Sequence, residues 1–228
     1  MQNNRYLPLA LFLGLAVMGC NKNSDAPADE VSKNSTQKTI NNEQKPQVEA
    51  VIEDAEVVKK QKAMEFALKE DEIKNNPIGQ WAISAKASST YAGNLEDPKA
   101  AYNPMQAADK PNVISYNDDY NSWASKEADA GIEWIELDYA KPVIASAVNI
   151  RQTYKSGAII KVELFDDLDA AHTIWQGPDK TSYPPDEIAW LNIAVDKAEY
   201  KAKKVKITLA TNAVDGWNEI DAVQLVGE

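Results

Sequence analysis

Glu219 and Asp221 stand two residues apart in the C-terminal stretch DGWNEIDAVQLVGE, the spacing at which a β-strand turns both side chains to one face. Paired carboxylates suit three kinds of chemistry: acid–base catalysis, metal ligation, or the anchoring of loop amides. Catalysis fits the spacing poorly. Glycosidase carboxylates flank the scissile bond at about 5 to 9.5 Å, usually from different elements, whereas neighbours on one strand lie side by side. Asp118–Asp119 and the run Asp166, Asp167 and Asp169 are further candidates for a cation, but aspartate also collects in turns, where it bonds to its own following backbone. His172 is the only histidine and has no nucleophile or second ligand beside it. The sequence contains no G-x-S-x-G, H-E-x-x-H, Walker loop or dinucleotide fingerprint. No catalytic residue is assigned, and the chain reads as a non-enzyme.

The aromatic residues carry more information. Tyr91, Tyr116, Tyr120 and Trp123 crowd the polar stretch 88–127 instead of spreading along strands. Aromatic faces stack on the apolar CH faces of sugars, while Asn, Asp and Arg bond to the hydroxyls. Trp217, directly after a DG turn, belongs either to this set or to the core. Arg151 is the only arginine beyond Arg5 and completes a ligand-binding set of Tyr91, Tyr116, Tyr120, Trp123, Arg151 and Trp217. Trp123 and Tyr154 have a competing role as plugs in the end of a β-structure. Trp134, Trp175 and Trp190 are assigned to strands and core.

The elements that must hold these residues fall in residues 79–228. GIEWIELDY, VIASAVNIRQTY, AIIKVELFD, HTIWQG, AWLNIAV, KVKITLAT and EIDAVQLVG all read as strands. KVKITLA alternates cleanly, with Val205, Ile207 and Leu209 inward and Lys204, Lys206 and Thr208 outward. YAKP, YKSG, DDLD and NAVDG supply the turns between them. Seven or eight short strands with no intervening helix predict an all-β domain, an antiparallel sandwich. The long polar segment 88–127 reads as a functional loop.

Before this domain the composition changes three times. Residues 1–19 have Arg5 followed by an apolar run from Leu7 to Val17, too short to span a bilayer. The run ends on Val17-Met18-Gly19-Cys20, which resembles the lipobox of bacterial lipoproteins, and Cys20 is the only cysteine. The resemblance implies a cleaved signal peptide, a thioether-linked diacylglycerol on Cys20 and a further acyl chain, such as palmitate, on its amine. Several chains are what stable anchoring to a membrane requires, at about 0.8 kcal/mol per buried CH₂. Asn21 after the cysteine favours the outer membrane of a bacterial cell envelope. Residues 20–47 contain almost no large apolar side chain and predict a disordered tether. Residues 48–78 comprise a helix-forming stretch to Lys74, free of Gly and Pro, and a linker with the breaker cluster Asn75-Asn76-Pro77-Ile78-Gly79. That helix is a stalk, a docking element for an envelope protein partner, or a helix packed on its own domain. A net charge of −11 excludes nucleic acid as a partner and leaves the acyl chains, not charge, as the membrane contact.

Ala87-Ser88-Ser89-Thr90-Tyr91, Gln106-Ala107, Pro111-Asn112-Val113, Ser122-Trp123-Ala124, Glu133 to Leu137, Thr153-Tyr154 with Gly157-Ala158-Ile159, and Trp217 to Val223 follow one another in an order that resembles the discoidin, or coagulation-factor type C, family. The resemblance covers about residues 80–228. It implies a galactose-binding-like jelly-roll β-sandwich that binds a ligand, often a carbohydrate or cell-wall glycan, through loops at one end. It also implies a structural calcium beside those loops, with Glu219 and Asn112 at ligand positions. The family's Asp-Gly…Thr calcium loop is replaced here by Lys110-Pro111-Asn112-Val113, and Glu219 has the alternative of accepting loop N–H groups. The expectation is therefore a non-catalytic glycan-binding module, with an envelope scaffold as the alternative. A bulge near Ile220 would reconcile the acid pair with the core-facing Val223 and Leu225.

Overall fold

The computed structural model describes residues 45–196 and 198–228. The signal peptide, the lipidation site Cys20 and the tether up to residue 44 lie outside the described residues. The chain divides into two units, Met1–Val51 and Ile52–Glu228, and the second holds all of the sheet structure.

Helix α1 (Lys45–Lys74) precedes nine strands: β1 (Gly79–Trp81), β2 (Ser84–Ala87), β3 (Ile132–Val143), β4 (Ala145–Tyr154), β5 (Ile159–Asp166), β6 (Ala171–Gln176), β7 (Ala189–Ala194), β8 (Ala202–Ala210) and β9 (Glu219–Gly227). They form two antiparallel sheets, β1-β9-β4-β7 and β2-β3-β8-β5-β6. The alternation in KVKITLA places Val205, Ile207 and Leu209 of β8 in the core between the sheets. Ile135 and Leu137 of β3, Val148 and Ile150 of β4, Val162 and Leu164 of β5, and Val223 and Leu225 of β9 meet them there. Two of the tryptophans assigned to the core are elsewhere. Trp134 points out of β3, half-buried, with Lys206 Nζ 4.4 Å from its ring centroid. Trp190 is buried but outside the core cluster, tilted against Trp81 at 6.5 Å; Trp175 packs on the core edge.

The register gathers the loops that matter. Ile132 pairs with Ala210, Gln152 with Ala189, Tyr154 with Glu219, and Ile159 with Leu209. The connections 88–131, 155–158, 177–188 and 211–218 therefore leave the sheets at a common end. β9 reaches that end through an irregularity: Arg151 pairs with Ala222 and Gln152 with Ile220, so Asp221 has no partner. This is the bulge expected near Ile220. It lets Ile220 and Val223, three residues apart, both enter the core, and it frees Asp221 to meet Arg151.

Helix α1 begins three residues earlier than the sequence reading, at Lys45. Pro46 is no obstacle, because the first helical turn has no intrahelical N–H bond to lose. Its last turns pack against the β1-β9-β4-β7 sheet. Phe66, Glu70 and Ile73 share one helical face; Phe66 is half-buried and Ile73 buried. The Gln224 amide donates to Ile73 O at 2.6 Å and accepts from Asn149 Nδ2, while Asn149 accepts from Asn192 Nδ2. This amide ladder crosses three strands. A Cβ on Gly79 would lie 2.5 Å from Gln224 Nε2, so β1 approaches the ladder as closely as it does because residue 79 lacks a side chain. The upstream turns, 54–65, are exposed.

Candidate functional site

The long segment 88–131 is tied to β9 by a one-residue bridge. Trp123 and Ile220 exchange both backbone hydrogen bonds, at 2.9 and 3.1 Å. The Trp123 ring is fully buried, and its indole N–H donates to Ser89 O at 3.0 Å. Trp123 is thus the plug of the sandwich end and presents nothing to a ligand, which corrects its place in the binding set.

Just beyond this bridge, Glu219 holds the loop. Its Oε2 accepts from Ser122 Oγ at 2.6 Å and from the Asp119 N–H at 3.2 Å. The side chain is 1% exposed, and Oε1 is buried with no partner. Burial pushes the Glu219 carboxyl up to about 8; the Ser122 and Asp119 bonds oppose the shift, and the neighbouring Asp118 carboxylate adds to it. Glu219 therefore keeps its proton at neutral pH. Asp118 in turn accepts from Tyr102 Oη at 2.5 Å. Burial and Asp118 together raise the Tyr102 hydroxyl.

Tyr102 was absent from the sequence-based set, yet it forms a wall of the cleft. Its φ of 59° lies in the left-handed region, uncommon for a bulky residue. The backbone is held there by bonds from its N–H to Tyr120 O and from Thr90 Oγ1 to its carbonyl, at 3.0 and 2.6 Å. Tyr91 packs edge-on against Tyr102, with centroids 5.2 Å apart, and against Trp217 at 5.5 Å. Tyr91, Tyr102, Trp217, Asp118 and Ala124 line a small, half-open cleft of about 70 Å³. The Trp217 indole N–H donates to Ser125 O at 3.1 Å, fixing the ring.

Of the remaining members of the expected set, Tyr116 packs on Tyr154 at 5.2 Å as a separate aromatic pair. Tyr120 lends only its carbonyl to the cleft, while its side chain is 61% exposed. Arg151 is removed from the ligand set outright. Its side chain is 4% exposed, with Nη1 at 2.6 Å from Asp221 Oδ2 and 2.8 Å from Val113 O. Nε and Nη2 lie 2.9 and 2.8 Å from Glu70 Oε1. Nearly all the guanidinium donors are spent on this joint.

Asn112 and Glu219, the residues implied as calcium ligands, belong to different hydrogen-bond sets. The Asn112 N–H donates to Asp221 Oδ1 at 3.2 Å, as does the Val113 N–H at 3.4 Å, whereas Glu219 serves Ser122 and Asp119. Among the described residues no three His, Cys, Asp or Glu side chains gather as they would around a cation. The acid pair is thus two separate loop anchors. Burial raises the Asp221 carboxyl, against the pull of Arg151 and the two amides. The Asp166 carboxylate closes its own hairpin, accepting from Leu168 and Ala170 N–H groups and bonding to His172 at 2.8 Å; His172 stacks on Tyr200 at 3.7 Å.

The family model for the pappalysin-1 SD scarf domain, C-terminal, matches residues 70–228. The chain belongs to this family. The SD scarf match opens at Glu70, so it takes in the docked turn of α1 together with the sandwich. Comparison with curated proteins returns no match. Among solved structures, the SD scarf domain is similar to a chitosan-binding module of a chitosanase/glucanase from Paenibacillus sp. IK-5, at 14% identity over 63% of this chain and 94% of that one, TM-score 0.46. It is similar to the lectin domain of lectinolysin complexed with Lewis B antigen, at 14% identity over 64% and 92%, TM-score 0.44. It is also similar to a family 32 CBM from Clostridium perfringens NanJ in complex with galactose, at 15% identity over 65% and 98%, TM-score 0.45. The antiparallel two-sheet β-sandwich expected from the sequence is the architecture found.

Proposed function

We propose that the SD scarf domain of this chain is a non-catalytic glycan-binding module and that the cleft of Tyr91, Tyr102, Trp217 and Asp118 is its binding site. The observation that carries this reading is the cleft itself: three aromatic rings and one carboxylate converge at the loop end of a rigid sandwich. Ring faces stack on sugar CH groups, and the carboxylate accepts from hydroxyl or amine groups. The Trp123 bridge and the Glu219 bonds hold the loop in place before a ligand arrives, which lowers the ordering cost of binding. The same reading places the module on the outer membrane of a bacterial cell, anchored through acyl chains on Cys20.

Glycan-array binding by the wild-type chain and by Tyr91→Ala and Trp217→Ala tests the site. Each variant is expected to lose at least tenfold in affinity while unfolding at a midpoint close to wild type. Binding unchanged in both variants would remove the cleft as the site. For the anchor, Cys20→Ser should abolish incorporation of labelled palmitate and release the chain from the membrane fraction.

One observation favours a second reading, a scaffold that captures an envelope protein. Val57, Met64 and Leu68 are 55%, 57% and 72% exposed and fall on a single stripe of α1, opposite the face formed by Phe66, Glu70 and Ile73. Val57→Lys with Leu68→Lys should abolish partner capture and leave glycan binding intact if the scaffold reading is right.

A further inference from the structure

The cleft of Tyr91, Tyr102 and Trp217 holds only about 70 Å³, so a small displacement of one ring changes what it admits. Binding sites tolerate about 0.5 Å of such play. Trp217 is fixed through its own indole N–H. Tyr102 is not secured by its own preferences. Its left-handed backbone, with φ of 59°, costs free energy in a tyrosine and persists only where neighbours hold it. Three hydrogen bonds do so. Its N–H donates to Tyr120 O, its hydroxyl donates to Asp118 Oδ1, and its carbonyl accepts from Thr90 Oγ1 at 2.6 Å. The first bond joins main chain to main chain, and the second belongs to the cleft's own wall. Only the third comes from a side chain outside the cleft.

Thr90 is suited to that part. It directly precedes Tyr91, so its hydroxyl joins the backbones that carry two facing rings, whose centroids are 5.2 Å apart. The same oxygen accepts from the Ala92 N–H at 3.2 Å, a local turn that aims it at Tyr102. A β-branched side chain also has little freedom at χ1. Thr90 itself lines a separate groove with Leu95, Asn103 and Met105, so a change there removes no contact with a ligand in the cleft.

We infer that Thr90 is the positioning residue of this cleft, its hydroxyl fixing the spacing of the Tyr91 and Tyr102 rings. The effect on affinity rests on the glycan-binding reading; the effect on ring spacing does not.

Thr90→Val removes the hydroxyl at nearly the same shape, and Thr90→Ser returns it. Crystal structures of the full chain and of both variants read the ring spacing and the φ of residue 102. Calorimetric titration with the glycan that wild type binds best on an array reads affinity, at a temperature well below every melting midpoint, so that a loss of global stability alone does not lower it. In Thr90→Val the Tyr102 ring is expected to draw away from Tyr91 by about 1 Å. Affinity should fall about tenfold, because the share of molecules with the cleft formed sets the apparent affinity. Thr90→Ser should restore the spacing, and the affinity to within about twofold of wild type. Unchanged spacing in Thr90→Val, or a spacing that Thr90→Ser fails to restore, overturns the inference. So does a widened cleft that binds as wild type does while Trp217→Ala has lost its affinity. A wild-type chain that binds no glycan, or a Trp217→Ala variant that binds unimpaired, overturns the glycan reading instead, and the ring spacing then decides the role of Thr90 alone.

Discussion

Replacing Arg151 with alanine removes the central member of the Glu70–Arg151–Asp221 joint and leaves the Asp221 carboxylate stranded. The Arg151 and Asp221 side chains are 4% and 0% exposed, whereas Glu70 is 19% exposed and reaches water. Breaking a buried ion pair from one side costs about 3–5 kcal/mol, because the remaining charge loses its partner without regaining its hydration. In a domain of this size 1 kcal/mol moves the melting midpoint by about 2–4 °C, so Arg151→Ala should melt about 6–20 °C below wild type. Glu70→Ala leaves Arg151 paired with Asp221 and should cost about 1 kcal/mol. Urea unfolding followed by tryptophan fluorescence measures both, and an unchanged slope would show that the midpoint shift is a stability change. Arg151→Ala and Asp221→Ala should be strongly non-additive, coupled by about 1–3 kcal/mol. A cost below about 1 kcal/mol for Arg151→Ala, or one no larger than that for Glu70→Ala, would refute the view that this buried joint holds the helix, β4 and β9 together.

Trp123→Ala empties a fully buried indole site and breaks the bond to Ser89 O; it should cost about 3–5 kcal/mol, while Tyr120→Ala at the exposed rim should change stability by less than about 0.5 kcal/mol, both read by urea unfolding. For Glu219, the carboxyl pKa is raised from 4.5 to about 8 by burial. Between those values the folded state keeps a proton that the unfolded state has lost, so this group's contribution is full below about pH 4.5 and is lost as pH rises through about 8. The difference in stability between wild type and Glu219→Gln should therefore shift in favour of the variant by on the order of 5 kcal/mol across that window, and a difference that stays constant with pH would contradict the buried protonated state. Millimolar calcium should leave the melting midpoint within about 1 °C, since Asn112 and Glu219 serve different anchors; a rise abolished by Glu219→Gln would restore them as a ligand pair.

Much of the sandwich was legible because local pattern and tertiary burial agree. In β8 Val205, Ile207 and Leu209 alternate with Lys204, Lys206 and Thr208, and all three apolar residues are in the core. β1 and β2 escaped notice because strands of three and four residues are too short to display a period. The acid pair of β9 was visible, but its resolution depended on one bulge. Glu219 and Asp221 could not be assigned to separate loops until pairing with β4 was known. Tyr91 and Trp217 were recognised as ligand-facing candidates from composition alone, and they do line the cleft. Tyr102 was invisible because its place there comes from a positive φ and a hydrogen bond to Asp118, neither of which leaves a spacing signal. Arg151 misled for the opposite reason: a lone arginine near a loop end reads as a ligand group, and its partner Glu70 lies in a helix 81 residues away in sequence.

The docked turn of α1 also sets a direction. Glu70 meets Arg151, whose β9 neighbour is Ala222, and Ile73, one turn later, meets Gln224 further along the same strand. The helix therefore runs in the same sense as β9, away from the loop end, and its earlier turns point the other way. From Glu70 back to Asp54 it covers about 24 Å at 1.5 Å per residue, enough to overhang the loops in which the cleft opens. The exposed turns 54–65 therefore lie toward the cleft's end of the sandwich, and the docked turn that fixes them also fixes which end of the domain the helix borders.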